Sequence, residues 1–114
     1  MHVLALDTTT AAGSVAIATN GRIVDVRLLD SARPQTTQLP GAVLDLLAGA
    51  GMVLGQIDAF AVAIGPGSFS GIRIGIACTQ GLALVANRPA VPISALDALV
   101  DEGSSHVRLG GVIA

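Results

Sequence analysis

One stretch constrains the fold more than any other. Ala59-Phe60-Ala61-Val62-Ala63-Ile64 runs into Gly65-Pro66-Gly67-Ser68-Phe69-Ser70-Gly71, then into Ile72-Arg73-Ile74-Gly75 and a long apolar segment. This reads as a buried strand, a glycine-rich turn and the start of a helix. Gly65 and Gly67 can take positive φ, and Pro66 between them stiffens the turn. Ser68 or Ser70 suits an N-cap, so backbone N–H groups gather there. Such a nest suits an anion or a phosphate. It equally suits a tight crossover with no ligand.

The turn departs from the familiar motifs. The dinucleotide fingerprint needs glycine where Ser70 stands. A Walker loop needs lysine, and all six basic residues are arginine. The nucleophile elbow would need serine at Phe69. A serine hydrolase built on this turn is therefore not expected.

At 114 residues the chain is one domain by length. Two phenylalanines are the only aromatics, too few for a nucleic-acid stacking platform. The net charge of −2, with arginines scattered, leaves no basic stripe for RNA or DNA. Charged residues make up 12%, low for a protein surface, so some aliphatic surface is expected to be covered by a partner. Cys78, the single cysteine, fits a small buried hydrophobe and a reducing compartment. The apolar start is too short for a signal peptide. The longest apolar stretch is too short to span a bilayer. The expectation is a cytoplasmic protein with no membrane partner.

Residues 2–7 and 14–19 predict two strands, joined through a turn at 8–13. Asn20-Gly21 is a hairpin signal, and residues 22–29 pair back as a third strand. Residues 31–38 are polar, hold Pro34 and read as a loop. Leu39, Val43, Leu46, Leu47 and Ala50 fall on one helical face, ended by Gly49 and Gly51. Residues 57–64 predict a fourth strand, the glycine-rich turn a second helix, and residues 90–93 a fifth strand. Ser94 caps a third helix to about Asp101. Residues 103–105 are a linker, and residues 106–114 begin another strand. The fold class is α/β: a mixed sheet with a three-strand antiparallel meander, then α-β-α-β-α. The domain reading is 1–102, with 103–114 as linker and first strand of a second domain.

In the second helix Arg73, Gln80 and Asn87 make a narrow polar stripe. Ile74, Cys78, Gly81, Leu82 and Val85 form one wide apolar face, and Ile72, Ile76 and Ala83 another flank. A surface helix needs one apolar face. The second must cover a neighbouring helix or another chain.

The start Leu4-Ala5-Leu6-Asp7-Thr8-Thr9-Thr10 with Ser14-Val15-Ala16, the Leu39-Pro40 helix, and Gly65 through Gly75 closely resemble the TsaB (YeaZ) family. Gly81-Leu82-Ala83 and Ser94-Ala95-Leu96-Asp97-Ala98-Leu99 extend the resemblance over nearly the whole chain. It implies an RNase H-like fold of the actin/Hsp70/sugar-kinase superfamily, of which this chain is one half. It implies a non-catalytic subunit supporting a TsaD-like enzyme, with a TsaE-like ATPase, in threonylcarbamoyl transfer to the tRNA adenosine beside the anticodon. The tRNA is reached only through the complex, no cofactor is implied, and a homodimer is expected. Catalytic relatives carry an H-x-x-x-H metal pair near Thr36-Thr37-Gln38-Leu39, where this chain has no histidine. No catalytic or metal residue is therefore assigned, and the old glycoprotease label is not taken as an activity. A helical bundle implies a partner interface through Leu39, Val43, Leu46, Leu47, Ile72, Ile76 and Ala83.

The competing reading is a small kinase-like nucleotide domain. Its phosphate-loop candidates are Asp7, Thr8, Thr9, Gly65, Gly67 and Ser68. The first loop lacks the glycine of the Asp-x-Gly-Thr phosphate loop. Asp7 also reads as a strand-end residue that bonds the next threonine backbone.

Overall fold

The computed structural model describes residues 1–67 and 69–94. Position 68, and with it the Ser68 cap and anion-site expectations, lies outside the described residues. So do the third helix, the 103–105 linker, the 106–114 strand and the second-domain boundary.

Strand β1 (His2–Asp7) is central, with Leu4, Ala5 and Leu6 fully buried. It pairs antiparallel with β2 (Ser14–Thr19), which pairs antiparallel with β3 (Arg22–Leu28). Asn20 and Gly21 both hold positive φ, 52° and 82°, as the tight hairpin demands. On the other side β1 pairs parallel with β4 (Ala59–Ala63), and β4 with β5 (Ala90–Ile93). The order is β3-β2-β1-β4-β5. The meander and the parallel half are those expected from the turn chemistry and the crossovers.

Helix α1 (Gln35–Gly49) packs on β2 and β3, and α2 (Phe69–Ala86) on β4, β1 and β5. Both cover the same sheet face, that of Leu4, Leu6, Val15, Ile17 and Phe60. Period-two alternation sends Val3, Ala5, Ala59, Ala61 and Ala63 to the opposite face.

Residues 35–38 were expected in a loop and instead form the first turn of α1. Pro34 sits at the N-cap, where a missing N–H costs nothing. The Gln38 amide then ties the turn to its approach, accepting from the Asp30 N–H at 2.7 Å and donating to the Arg33 carbonyl at 2.9 Å. Gly51 at φ 69° ends the helix: its N–H bonds the Ala48 carbonyl and that of Met52 the Leu47 carbonyl. Asn87 at φ 56° does the same after α2. The fourth strand is shorter than the expected 57–64. Ile57 follows a 3-10 turn (Leu54–Gln56) and is buried, while Ile64 lies just past the strand and is exposed, its N–H still donating to the Ile93 carbonyl.

The line of α2 nearest the sheet is Gly71, Gly75, Thr79 and Ala83. It runs between the two apolar flanks seen in the sequence. Ile74, Cys78 and Leu82 pack on the main core, whereas Ile72 and Ile76 are half-buried. Gly81 and Val85 were assigned to the covered face and are instead exposed. The sheet touches α2 along a stripe of small residues, so the helix lies close to it and the larger side chains splay outward.

Candidate functional site

Two regions bring the candidate residues together. The first is the pair of loops at the ends of β1 and β4. Asp7 Oδ1 accepts from the Thr9 N–H at 2.9 Å and from the Thr9 hydroxyl at 2.6 Å. This is an Asx turn, the strand-end arrangement that Asp7 allows. The Thr8 hydroxyl, fully buried, donates to the Gly71 carbonyl and so pins the first loop to the start of α2.

Glycines let these pieces meet. A Cβ at Gly67 would overlap the Thr9 carbonyl, one at Gly65 the Ser94 carbonyl, and one at Gly75 the Thr8 hydroxyl. Asp7, Thr8, Thr9, Gly65 and Gly67 are therefore assembled in one place, as a phosphate-loop reading requires. Both threonine hydroxyls, however, donate within the chain. The glycines serve loop-on-loop packing, which is the crossover use of such a turn.

A cleft of about 290 Å³ beside these loops is lined by Thr8, Thr10, Gln35, Ser70, Gly71 and Ile74. None of the described residues that line it is charged. The Gln35 amide, which also lines it, donates to the Thr10 carbonyl at 2.7 Å. ATP is accordingly expected to bind to this chain with a dissociation constant weaker than about 10 µM, about −7 kcal/mol. Calorimetry checks this, and tighter binding restores the kinase-like reading.

Among the described residues no group of three or more His, Cys, Asp and Glu converges. His2 is tied down at the start of the central strand: its Nδ1 lies 2.8 Å from the Thr19 hydroxyl, and its backbone N–H donates to the Asp58 carboxylate at 2.7 Å. Burial pushes the Cys78 thiol pKa upward, which keeps it protonated and unsuited to attack.

The second region is a groove of about 720 Å³ between α1 and α2. Leu39, Pro40, Ile74, Ala77 and Cys78 supply its apolar lining, and Thr36, Ser70 and Arg73 its polar one. Through Ser70 and Ile74 it adjoins the cleft beside the loops. Large apolar residues stand uncovered on the two helices: Leu44 is 66% exposed, Phe69 75%, Val85 78% and Leu84 82%.

The sequence-derived interface is only partly compatible with this geometry. Leu39, Val43, Leu46 and Leu47 are no more than 4% exposed, and Ala83 is 6% exposed. Their helical faces turn inward because the Leu4–Val15–Ile17 sheet face needs cover. Within this chain these five residues are spent on the core, and Leu39 also lines the groove. Ile72 and Ile76 remain half-exposed on the flank of α2. Sequence reasoning did not single out the exposed Leu44, Phe69 and Leu84, and it placed Val85 on the covered face. For Leu44 the signal was available, since it falls outside the i, i+4, i+7 set of α1.

A family described as TsaD, tRNA N6-adenosine threonylcarbamoyltransferase, matches residues 30–109. The tRNA threonylcarbamoyladenosine biosynthesis protein TsaB of Haemophilus influenzae is 42% identical over 114 residues, covering 100% of this chain and 48% of that protein. The chain thus spans about half the length of such curated relatives. The solved structure of YeaZ from Pseudomonas aeruginosa is 41% identical with a TM-score of 0.70, covering 82% of this chain and 43% of that one. Thermus thermophilus RuvC, solved with a Holliday junction substrate, shares the fold at 13% identity and a TM-score of 0.57, over 82% of this chain and 64% of its own. The RNase H-like α/β architecture follows from these likenesses and the sheet order.

Proposed function

The chain belongs to the TsaD family of tRNA N6-adenosine threonylcarbamoyltransferases, matching the N-terminal part of its TsaB (YeaZ) members, and from that premise we propose that it is a non-catalytic subunit that docks a TsaD-like enzyme. In this role it supports threonylcarbamoyl transfer to the tRNA adenosine beside the anticodon. A TsaE-like ATPase belongs to the same assembly, and tRNA is reached through the complex. The chain forms the first half of a two-domain actin-like fold, acts in the cytoplasm, and uses the same helical face for self-association.

One observation carries the reading: α1 and α2 leave Leu44, Phe69, Leu84 and Val85 uncovered beside an open apolar groove. Of the 18-residue α2, 22% is buried, although its mean hydropathy is 1.4. A helix so apolar and so little covered calls for further cover. Burying a Leu or Phe side chain contributes about 1.5–3 kcal/mol. Four such residues offset much of the cost of association, about 4–15 kcal/mol. The loop residues support a non-catalytic role, because Asp7, Thr8 and Thr9 spend their bonds on each other and on Gly71.

The test is co-purification of the full chain with a TsaD-like subunit, followed by size-exclusion chromatography. A stable complex of defined stoichiometry is expected at micromolar concentration. Separate elution of the two proteins at tens of micromolar, a range set by ordinary specific affinities of about 1 µM or tighter, overturns the proposal.

A further inference from the structure

The docking groove contains a charge that has no opposite partner among the described residues. The two helices together carry one acid, Asp45, and one base, Arg73. Asp45 sits on the far flank of α1, where it lines a separate groove with Arg27 and Arg33. Arg73 lines the apolar groove itself, exposed, with its guanidinium 5.9 Å from the centroid of the Phe69 ring. Among the described residues the ion pair is Arg27 with Asp25, and Arg73 has none.

We infer that Arg73 selects the partner: it receives a carboxylate carried on an otherwise apolar helix of a different protein, the TsaD-like subunit. The inference rests on the docking reading and adds to it the chemistry of the occupant. The groove around Arg73 is mostly apolar, with Thr36 and Ser70 as its other polar residues, so a seated helix desolvates much of the guanidinium. A desolvated cation without a counter-charge is costly, and a carboxylate removes that cost. The planar guanidinium, already steadied on a ring face, suits a two-pronged bond to such a carboxylate.

A second copy of this chain is the poorer occupant. A two-fold contact returns the same patch to itself. Arg73 then enters twice, while the one acid of the two helices stays on the outer flank. Self-pairing through the groove therefore offers each Arg73 no carboxylate from these two helices, whereas a different protein can supply one. Arg73 discriminates between partners that share one apolar surface, as a charge left unpaired in the wrong complex does in specific interfaces.

The experiment measures binding of the full chain to a TsaD-like subunit, and self-association by sedimentation, at low and high salt. Leu44→Asp serves as the reference for docking itself. Arg73→Glu is expected to weaken the hetero-complex at least about 30-fold, in the range for truncating one side of a buried charge pair. Arg73→Lys, which keeps the charge but loses the fork, falls in between. Arg73→Gln is expected to weaken the hetero-complex, abolish most of its salt dependence, and strengthen self-association. A merely structural arginine would not move the two equilibria in opposite directions. If Arg73→Glu binds within about threefold of the wild type, well under the 1.4 kcal/mol of a tenfold change, while Leu44→Asp does not bind, the role of Arg73 is refuted and docking stands. If Leu44→Asp also binds normally, the docking face is wrong and this inference falls with it.

Discussion

Leu46→Asp is expected to unfold the chain, whereas Leu44→Asp, two positions away, leaves it folded and abolishes association with a partner. Leu46 is fully buried in the cluster with Leu4, Val15, Ile17 and Phe60. A carboxylate there is buried without a counter-charge, which costs several kcal/mol, about the whole net stability of a small domain. Leu44 is 66% exposed and contributes little to the core. Its replacement costs the fold less than about 0.5 kcal/mol, as surface changes usually do. Once a partner helix covers it, however, the same aspartate is stranded in an apolar contact. Circular dichroism melts and size-exclusion binding assays separate the two effects. A Leu46→Asp protein melting within a few degrees of wild type would show that α1 is not seated on the sheet in this register.

Gly75→Ala is expected to destabilise the chain by about 1–3 kcal/mol, the range for overpacking a closed site. Helix propensity alone predicts the opposite sign, since alanine in a helix interior is favoured over glycine by about 1 kcal/mol. The difference lies in what the new methyl meets. At Gly75 it overlaps the Thr8 hydroxyl and comes within 3.1 Å of a Val62 methyl. The Thr8 hydroxyl is itself engaged, donating to the Gly71 carbonyl, so it cannot turn aside freely. In a Thr8→Ala background the penalty should shrink by about 1 kcal/mol, a coupling typical of residues in contact. Gly81 provides the control. A Cβ there meets nothing within 4 Å, so Gly81→Ala should stabilise the isolated chain by up to about 1 kcal/mol. Denaturant unfolding of Gly75→Ala, Thr8→Ala, their double variant and Gly81→Ala measures all these values. Equal gains at Gly75 and Gly81 would mean that the first loop does not pack on α2 as described.

The two loops show why the candidate site was half legible. Asp7, Thr8 and Thr9 at a strand end, facing a glycine-rich turn, announce a place where two loops meet. Whether that place is a phosphate cradle or a packing joint depends on where the hydroxyls point. Here Thr9 bonds Asp7 and Thr8 bonds Gly71. The second of these partners lies 63 positions away, so no local pattern could reveal it. The interface shows the same division. Periodicity identified the apolar faces of α1 and α2, but a periodic face reads alike whether a sheet or another protein covers it.

The sequence by itself determined the order of elements, because the determinants are local. Asn20-Gly21 demands a tight hairpin, Gly51 and Asn87 take the left-handed conformation that ends each helix, and an unbroken apolar run marks β1 as central. From these the β3-β2-β1-β4-β5 sheet follows, since two helical crossovers allow few other arrangements. The tertiary structure alone decided which apolar residues were consumed in folding. Leu39, Val43, Leu46 and Leu47 went to the sheet, and Leu44, Phe69, Leu84 and Val85 were left outside. The cause is the small stripe Gly71–Gly75–Thr79–Ala83, which lets α2 lie close to the sheet while the groove between it and α1 stays open. The hydrophobic effect drives burial without specifying a direction, so only the packed geometry assigns each apolar side chain to the core or to a partner.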